Sequence, residues 1–203
     1  MTEEEVREAI LSAADQLFYE RGFQSVPMDE LRDKAGVPLK RIYACFPSKD
    51  DLVRAYLAHQ DDRWRDGVES YVKKRSDDPV EQLLLVFDAV EARARHQARF
   101  RGCAFHNAFG ELGGTCPDAV AVVRSHKHHL RDFLVRTARR AGLRRPAELG
   151  LQLLLLAEGA LITAAIDDDP GVPRRARAAA AVLVDSARSD SPRQDAGAGT
   201  QGI

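Results

Sequence analysis

The chain has 203 residues, 44% hydrophobic and 6% aromatic, enough to bury a core without disulfides or metal. Its 30 Lys and Arg against 31 Asp and Glu give a formal net charge of −1, which excludes a molecule that is basic all over; any nucleic-acid surface has to be local. The odd, irregularly spaced Cys45, Cys103 and Cys116 exclude a disulfide scaffold and suit a reducing cytoplasm, and the acidic start Met1-Thr-Glu-Glu-Glu lacks a signal-peptide pattern.

Abundant Ala, Leu and Arg favour helices over strands. From Glu3 to Arg21, apolar residues at Val6, Ile10, Ala13, Ala14, Leu17 and Phe18 form one helical face, closed by Gly22. A second helix is predicted over 28–35 and a short third over 39–45. Pro47-Ser48-Lys49-Asp50-Asp51-Leu52 then starts a fourth, with Ser48 as N-cap, running to about Ser76. Pro79 opens a fifth to about Gln97. A short glycine-bounded helix is expected within 101–114, and a long one over 118–141 up to Gly142. The helix over 146–166 is apolar on most sides, and its longest apolar stretch, Leu151 to Ile166, is read as too short to span a bilayer. A last Ala/Arg helix covers about 173–188, and 189–203, rich in Ser, Gly, Asp and Pro, reads as a disordered tail. The fold class is all-α, with about nine helices. They divide into a head (1–47), a body (48–188) and the tail (189–203).

Residues 28–46 carry the functional signal. Two short helices are joined by Ala35-Gly36-Val37-Pro38: a small residue for close approach, a glycine for the turn, and a valine to plug the gap. Leu31 and Ile42 anchor the pair on the first helix through Leu17 and Phe18. Charge is segregated accordingly. Residues 1–31 hold Arg7 and Arg21 against eight carboxylates, whereas 32–49 hold Arg32, Lys34, Lys40, Arg41 and Lys49 against Asp33 alone. A third helix of this charge faces phosphates, and Lys49 stands at a helix N-terminus that favours a phosphate oxygen. The candidate DNA-binding residues are Arg32, Lys34, Pro38, Leu39, Lys40, Arg41, Tyr43, Ala44 and Lys49.

The run Ile10-Leu11-x-Ala13-Ala14-x-x-Leu17-Phe18-x-x-x-Gly22-Phe23, then Met28-x-x-Leu31-x-x-x-Ala35-Gly36-Val37, then Ile42-Tyr43-x-x-Phe46-Pro47-Ser48-Lys49-Asp50-x-Leu52, resembles the TetR (tetracycline-repressor-like) family signature over the first quarter of the chain. The resemblance implies an all-helical homodimer whose first three helices bind double-stranded operator DNA. The remainder would bind a small-molecule effector, and the last two long helices would pair between subunits. The chain departs from the family where Pro27, Pro38 and Arg41 replace frequent Ser or Thr, and where Ala44 and Cys45 replace a polar or aromatic pair. Phosphate-contacting hydroxyls are thereby lost, with Arg41 a substitute for one of them. These losses leave a second reading open, a helical ligand-binding protein of the same fold without operator recognition.

The body has no GxGxxG, P-loop, Gly-x-Ser-x-Gly or His-Glu-x-x-His, so no enzymatic activity and no cofactor are expected. Trp64, Phe87, Phe105, Phe109 and Phe133, with His106, Asn107, His126 and Glu158, are candidates for an apolar effector pocket carrying a few orienting polar groups. Segment 101–114 is the candidate moving wall. His126 and His129 are spaced as a metal pair, but Lys127 and Arg131 beside them favour a solvated basic face. For the dimer, Leu155, Gly159, Ile162, Thr163, Ile166, Ala180 and Leu183 are the candidate contacts in a four-helix interface.

Overall fold

A computed structural model describes residues 1–96 and 100–188. Among these residues the chain forms nine helices: α1 (Glu3–Arg21), α2 (Met28–Ala35), α3 (Leu39–Cys45), α4 (Lys49–Lys73), α5 (Pro79–His96), α6 (Ala104–Leu112), α7 (Pro117–Arg140), α8 (Pro146–Ile166) and α9 (Val172–Ser186). No strand occurs among them, as the all-α reading requires. The fourth helix stops at Lys73, short of the predicted Ser76. Gln97, the predicted end of the fifth, and the tail 189–203 lie outside the described residues.

Local chemistry sets the boundaries. Thr2 Oγ1 accepts from the Glu5 amide (3.2 Å) and Glu5 Oε2 accepts from the Thr2 amide (2.8 Å), a reciprocal cap on α1. Ser48 caps α4 by accepting from the Asp51 amide at 3.1 Å. Proline stands in the first turn of α7, α8 and α9, where its missing N–H costs no helix bond.

Two apolar clusters fill the molecule. The first gathers Ile10, Leu17 and Phe18 of α1, Leu31 of α2 and Ile42 of α3. It continues without a break into Leu52, Tyr56 and Leu57 of α4, and Phe105, Ala108 and Leu112 of α6. The second joins Val68 and Val72 of α4 to Leu83 and Phe87 of α5, Leu130 and Leu134 of α7, Leu153 of α8 and Val184 of α9. Helices α4 and α7 enter both clusters, so each is a strut from one end of the molecule to the other.

Helix α8 is longer than the stretch read from sequence. Its 21 residues contain an 18-residue window of mean hydropathy 1.9, long and apolar enough to cross a bilayer by length and composition, which corrects the reading of it as too short. It packs on α7 and α9 through Leu149, Leu153, Ala157, Leu161 and Ala164. Leu151, Leu155, Ile162 and Ile166 repeat along the opposite face, and Leu155 and Ile166 stay 63% and 75% exposed.

Candidate nucleic-acid interface and internal cavity

The turn between α2 and α3 is built as its residues dictate. Gly36 takes the left-handed conformation (φ 64°) and returns its amide to the Arg32 carbonyl, while Val37 is buried beneath the pair. Leu31 and Ile42 are fully buried, fixing both helices on α1. What remains outward on α3 is Lys40, Arg41, Tyr43 and Ala44, preceded by exposed Pro38. Lys34 and Lys40 have no ion-pair partner among the described residues, and Arg41 makes a single 3.4 Å contact to the Met1 carbonyl.

Three predicted contacts are placed otherwise. Lys49 turns inward: its ammonium donates to the Val26 carbonyl (2.6 Å) and the Gln24 carbonyl (3.3 Å), and burial lowers its pKa. It ties the start of α4 to the α1–α2 loop instead of reaching for phosphate. Arg32 is held by Asp29 (2.7 Å) and Asp33 (2.8 Å), which satisfies its charge within α2. Leu39 is half-buried against the first cluster.

One carboxylate supplies a polar link between the head and the body. Glu111, in the last turn of α6, accepts from the amides of Phe23 (2.7 Å) and Gln24 (3.2 Å). Its carboxylate lies where a Cβ on Gly22 would sit, 2.7 Å away, and Gly22 itself has φ 90° and ψ 164°, a region that glycine alone occupies readily. At the other end of the same segment the Tyr19 hydroxyl accepts from the Arg101 amide (2.8 Å) and donates to the Gly102 carbonyl (3.2 Å). From the sequence Glu111 reads only as one more polar group able to orient a ligand, because nothing local marks a carboxylate as the partner of amides almost ninety positions earlier.

Inside the body lies a cavity of about 210 Å³. Val68, Val86, Val90, Leu130, Ala157 and Leu161 make its apolar wall, Trp64 and Tyr71 its aromatic one, and Arg63, Arg93, Cys103, His126 and Glu158 its polar points. Beneath the wall the polar groups form two closed sets. Asp61, buried on α4, accepts from His126 Nδ1 (2.8 Å) and His129 Nδ1 (2.9 Å). Both imidazoles thus spend a nitrogen on a carboxylate, and no group of three or more His, Cys, Asp or Glu placed to hold a metal ion is found among the described residues. Burial, opposed by the Asp61 hydrogen bond, pushes the pKa of His126 down to about 4, so the ring is neutral at pH 7. Its face stacks on Phe105 (3.6 Å between centroids) and its edge meets Trp64. Glu158 accepts from Lys127 Nζ at 2.5 Å and pairs with His106. Burial would raise its pKa, but the His106 and Lys127 contacts outweigh it and hold the carboxyl at about 2.

Of the predicted pocket residues, Trp64, His126 and Glu158 line this cavity, while Phe105 and His106 support it from α6. Four do not. Phe109 is 54% exposed on the far side of α6, Phe87 is fully buried in the second cluster, and Phe133 packs against that cluster. Asn107 gives its side-chain amide to the Arg101 carbonyl (3.1 Å), closing the turn into α6. Arg63, Arg93, Tyr71, Cys103 and Leu161 were missed. They come from α4, α5, the segment before α6, and α8, and only the tertiary fold brings them together.

Among the predicted dimer contacts, Leu155, Gly159, Ile162, Thr163 and Ile166 share the outer face of α8. Ala180 is the exception, fully buried within the subunit against the second cluster, and Leu183 is half-buried beside it. On α9 the exposed large apolar residue is Val182, at 68%.

A helix-turn-helix with a cationic outer face, set on a helical body that encloses a cavity, defines a DNA-binding regulator. Residues 10–56 match the bacterial regulatory proteins of the tetR family. Over 90% of its length the chain is 31% identical to a TetR-type transcriptional regulator of known structure from Streptomyces avermitilis, covering 97% of that chain with a TM-score of 0.74. A TetR-family transcriptional regulator from Streptomyces coelicolor superimposes with a TM-score of 0.84 at 26% identity, over 92% of this chain and 97% of that one. Among curated proteins, 74 residues (36% of this chain) are 35% identical to the HTH-type transcriptional activator FasR of Mycolicibacterium smegmatis. A further 112-residue match, 22% identical over 55% of this chain, is to an HTH-type transcriptional regulator of Lactococcus lactis. The chain spans 34% and 57% of the length of these two curated relatives. It belongs to the TetR family of transcriptional regulators.

Proposed function

We propose that the protein is a cytoplasmic repressor that binds palindromic operator DNA as a homodimer and leaves it when a small molecule occupies the cavity. The observation that carries the reading is α3: its cationic face is outward and largely unpaired, while its apolar face is locked into the core. Lys40, Arg41, Tyr43, Pro38 and Ala44 meet the major groove, with Lys34 at its edge. One such helix reads few bases, so two copies are needed, and the outer face of α8 with Val182 of α9 supplies the surface that pairs them. The division at 1–47 and 48–188 is one of role, since the first apolar cluster runs across it.

The cavity and the head share α6. His106 on that helix pairs with Glu158 at the cavity, and Glu111 on the same helix holds Phe23 and Gln24 of the head. A ligand that shifts α6 therefore moves the head in each subunit, and the two recognition helices lose their half-site spacing. The test is selection of bound fragments from genomic DNA, followed by affinity measurements over a range of salt. Lys40→Ala with Arg41→Ala should weaken binding and flatten the salt dependence by about one unit of slope per lost phosphate contact. Unchanged affinity and slope in that double variant would overturn the DNA-binding role of α3.

A further inference from the structure

Next to the cavity lies a second space of about 350 Å³ against α1, a vestibule that shares Arg63, Trp64 and Arg93 with the cavity wall. The charges around them do not balance. Glu158, the carboxylate of the cavity wall, is already saturated by Lys127 and His106. Asp15, the carboxylate of the vestibule, accepts from Tyr56 (3.3 Å) and Arg63 (3.2 Å). Arg93, half-buried on α5, has neither an ion-pair nor a hydrogen-bond partner among the described residues. Lining the same vestibule, Gln60 is only 9% exposed and its Nε2 has no acceptor among the described residues. A buried amide donor without a partner and a partly desolvated guanidinium are both costly, and both are relieved by the same thing, an anion with oxygens to accept from them.

Resting on the effector-site reading above, we infer that the ligand is a small organic carboxylate with an apolar body, its head on Arg93 and Gln60 in the vestibule and its body against Trp64 and Leu130 in the cavity. Size limits the body. A cavity of about 150 Å³ accommodates benzene, so 210 Å³ suits one ring with a short side chain or a short saturated chain. A guanidinium takes a carboxylate through two parallel hydrogen bonds, which gives the head a fixed orientation. The same placement supplies the signal. A second anion beside Asp15 repels it and competes for Arg63, loosening the contact between α1 and α4 that holds the head to the body.

The test uses the full-length protein and its single tryptophan, Trp64, whose fluorescence reports the cavity directly. Three isosteric probes are titrated: 3-phenylpropanoate, 3-phenylpropanamide and 3-phenylpropylammonium. The acid should bind about ten- to a hundredfold tighter than the amide, the span expected when a hydrogen-bonded charge is removed, and the ammonium weakest. Arg93→Gln should erase the preference for acid while leaving amide affinity in place, and Arg93→Lys should restore part of it. Asp15→Asn, which keeps an acceptor for Tyr56, should tighten the acid alone. Amide binding as tight as acid, or an acid preference that survives in Arg93→Gln, would overturn the carboxylate assignment while leaving the effector site standing. No response of Trp64 or of thermal stability to any of the three would overturn the effector site and the assignment together.

Discussion

At the scale of single residues, His126 and Glu158 show how burial and partners set charge in opposite ways. Burial dominates at His126 and keeps it neutral, with a pKa of about 4; the His106 and Lys127 contacts dominate at Glu158 and keep it ionised, with a pKa of about 2. Both shifts make stability fall with acid. Between pH 6.5, the ordinary histidine value, and about 4, the unfolded chain takes up a proton at His126 that the folded chain refuses. The stability contributed by Glu158 is complete above its ordinary pKa of 4.5 and is lost as pH falls from there towards 2. Urea midpoints measured at pH 7, 5.5 and 4.5 should therefore decline in that order, with His126 responsible for the first part. A midpoint constant over this interval would contradict a neutral, buried His126. Neutrality also has a consequence for the cavity: a charged imidazole there would be carried against Phe105 and Trp64 with little water to solvate it, whereas the neutral ring is an apolar wall.

At the scale of helices, periodicity and punctuation were enough to find the nine among the described residues, because apolar spacing and the prolines, glycines and capping hydroxyls at many of their ends are local signals. The turn at Gly36 and the buried Leu31, Val37 and Ile42 were legible for the same reason. Side-chain partners were not. Lys49 reads from sequence as a free base at a helix start, yet two carbonyls more than twenty positions earlier claim it. Ala180 reads as a small contact residue, yet the helix is rotated so that it faces its own subunit. Rotation also decides what α8 leaves outside. Leu151, Leu155, Ile162 and Ile166 recur at steps of four and seven, the spacing of a helix seam, on a helix whose other face is already buried. Such a stripe is what the proposed pairing with a second copy would cover. Leu155→Glu with Ile162→Glu should thus yield a monomer by light scattering at micromolar concentration, with the subunit still helical by circular dichroism and its operator affinity strongly reduced. A dimer in that variant would exclude the α8 face as the seam.

At the scale of the whole molecule, the proposed response requires that an occupant of the cavity be felt at α3. The first apolar cluster joins head and body continuously, so a loose hinge between two separate cores does not describe this chain. Polar clamps stand at either end of one segment. Tyr19 binds the backbone of Arg101 and Gly102 where the segment begins, and Glu111 binds the Phe23 and Gln24 amides where α6 ends. Between them His106 and Phe105 touch Glu158 and His126 at the cavity. A helix of nine residues held at these points moves as one body, and its position decides that of the α1–α2 loop. Removing the Glu111 carboxylate should therefore free the head locally without unfolding the body, since local opening follows the contacts that close a segment. In Glu111→Ala, amide hydrogen exchange should rise in residues 22–45 and stay unchanged in α5 and α8, while the Trp64 environment is retained. Exchange rising equally in α8 would mean that Glu111 supports the global core, and exchange unchanged in 22–45 would mean that the apolar cluster alone holds the head and that α6 carries no signal to it.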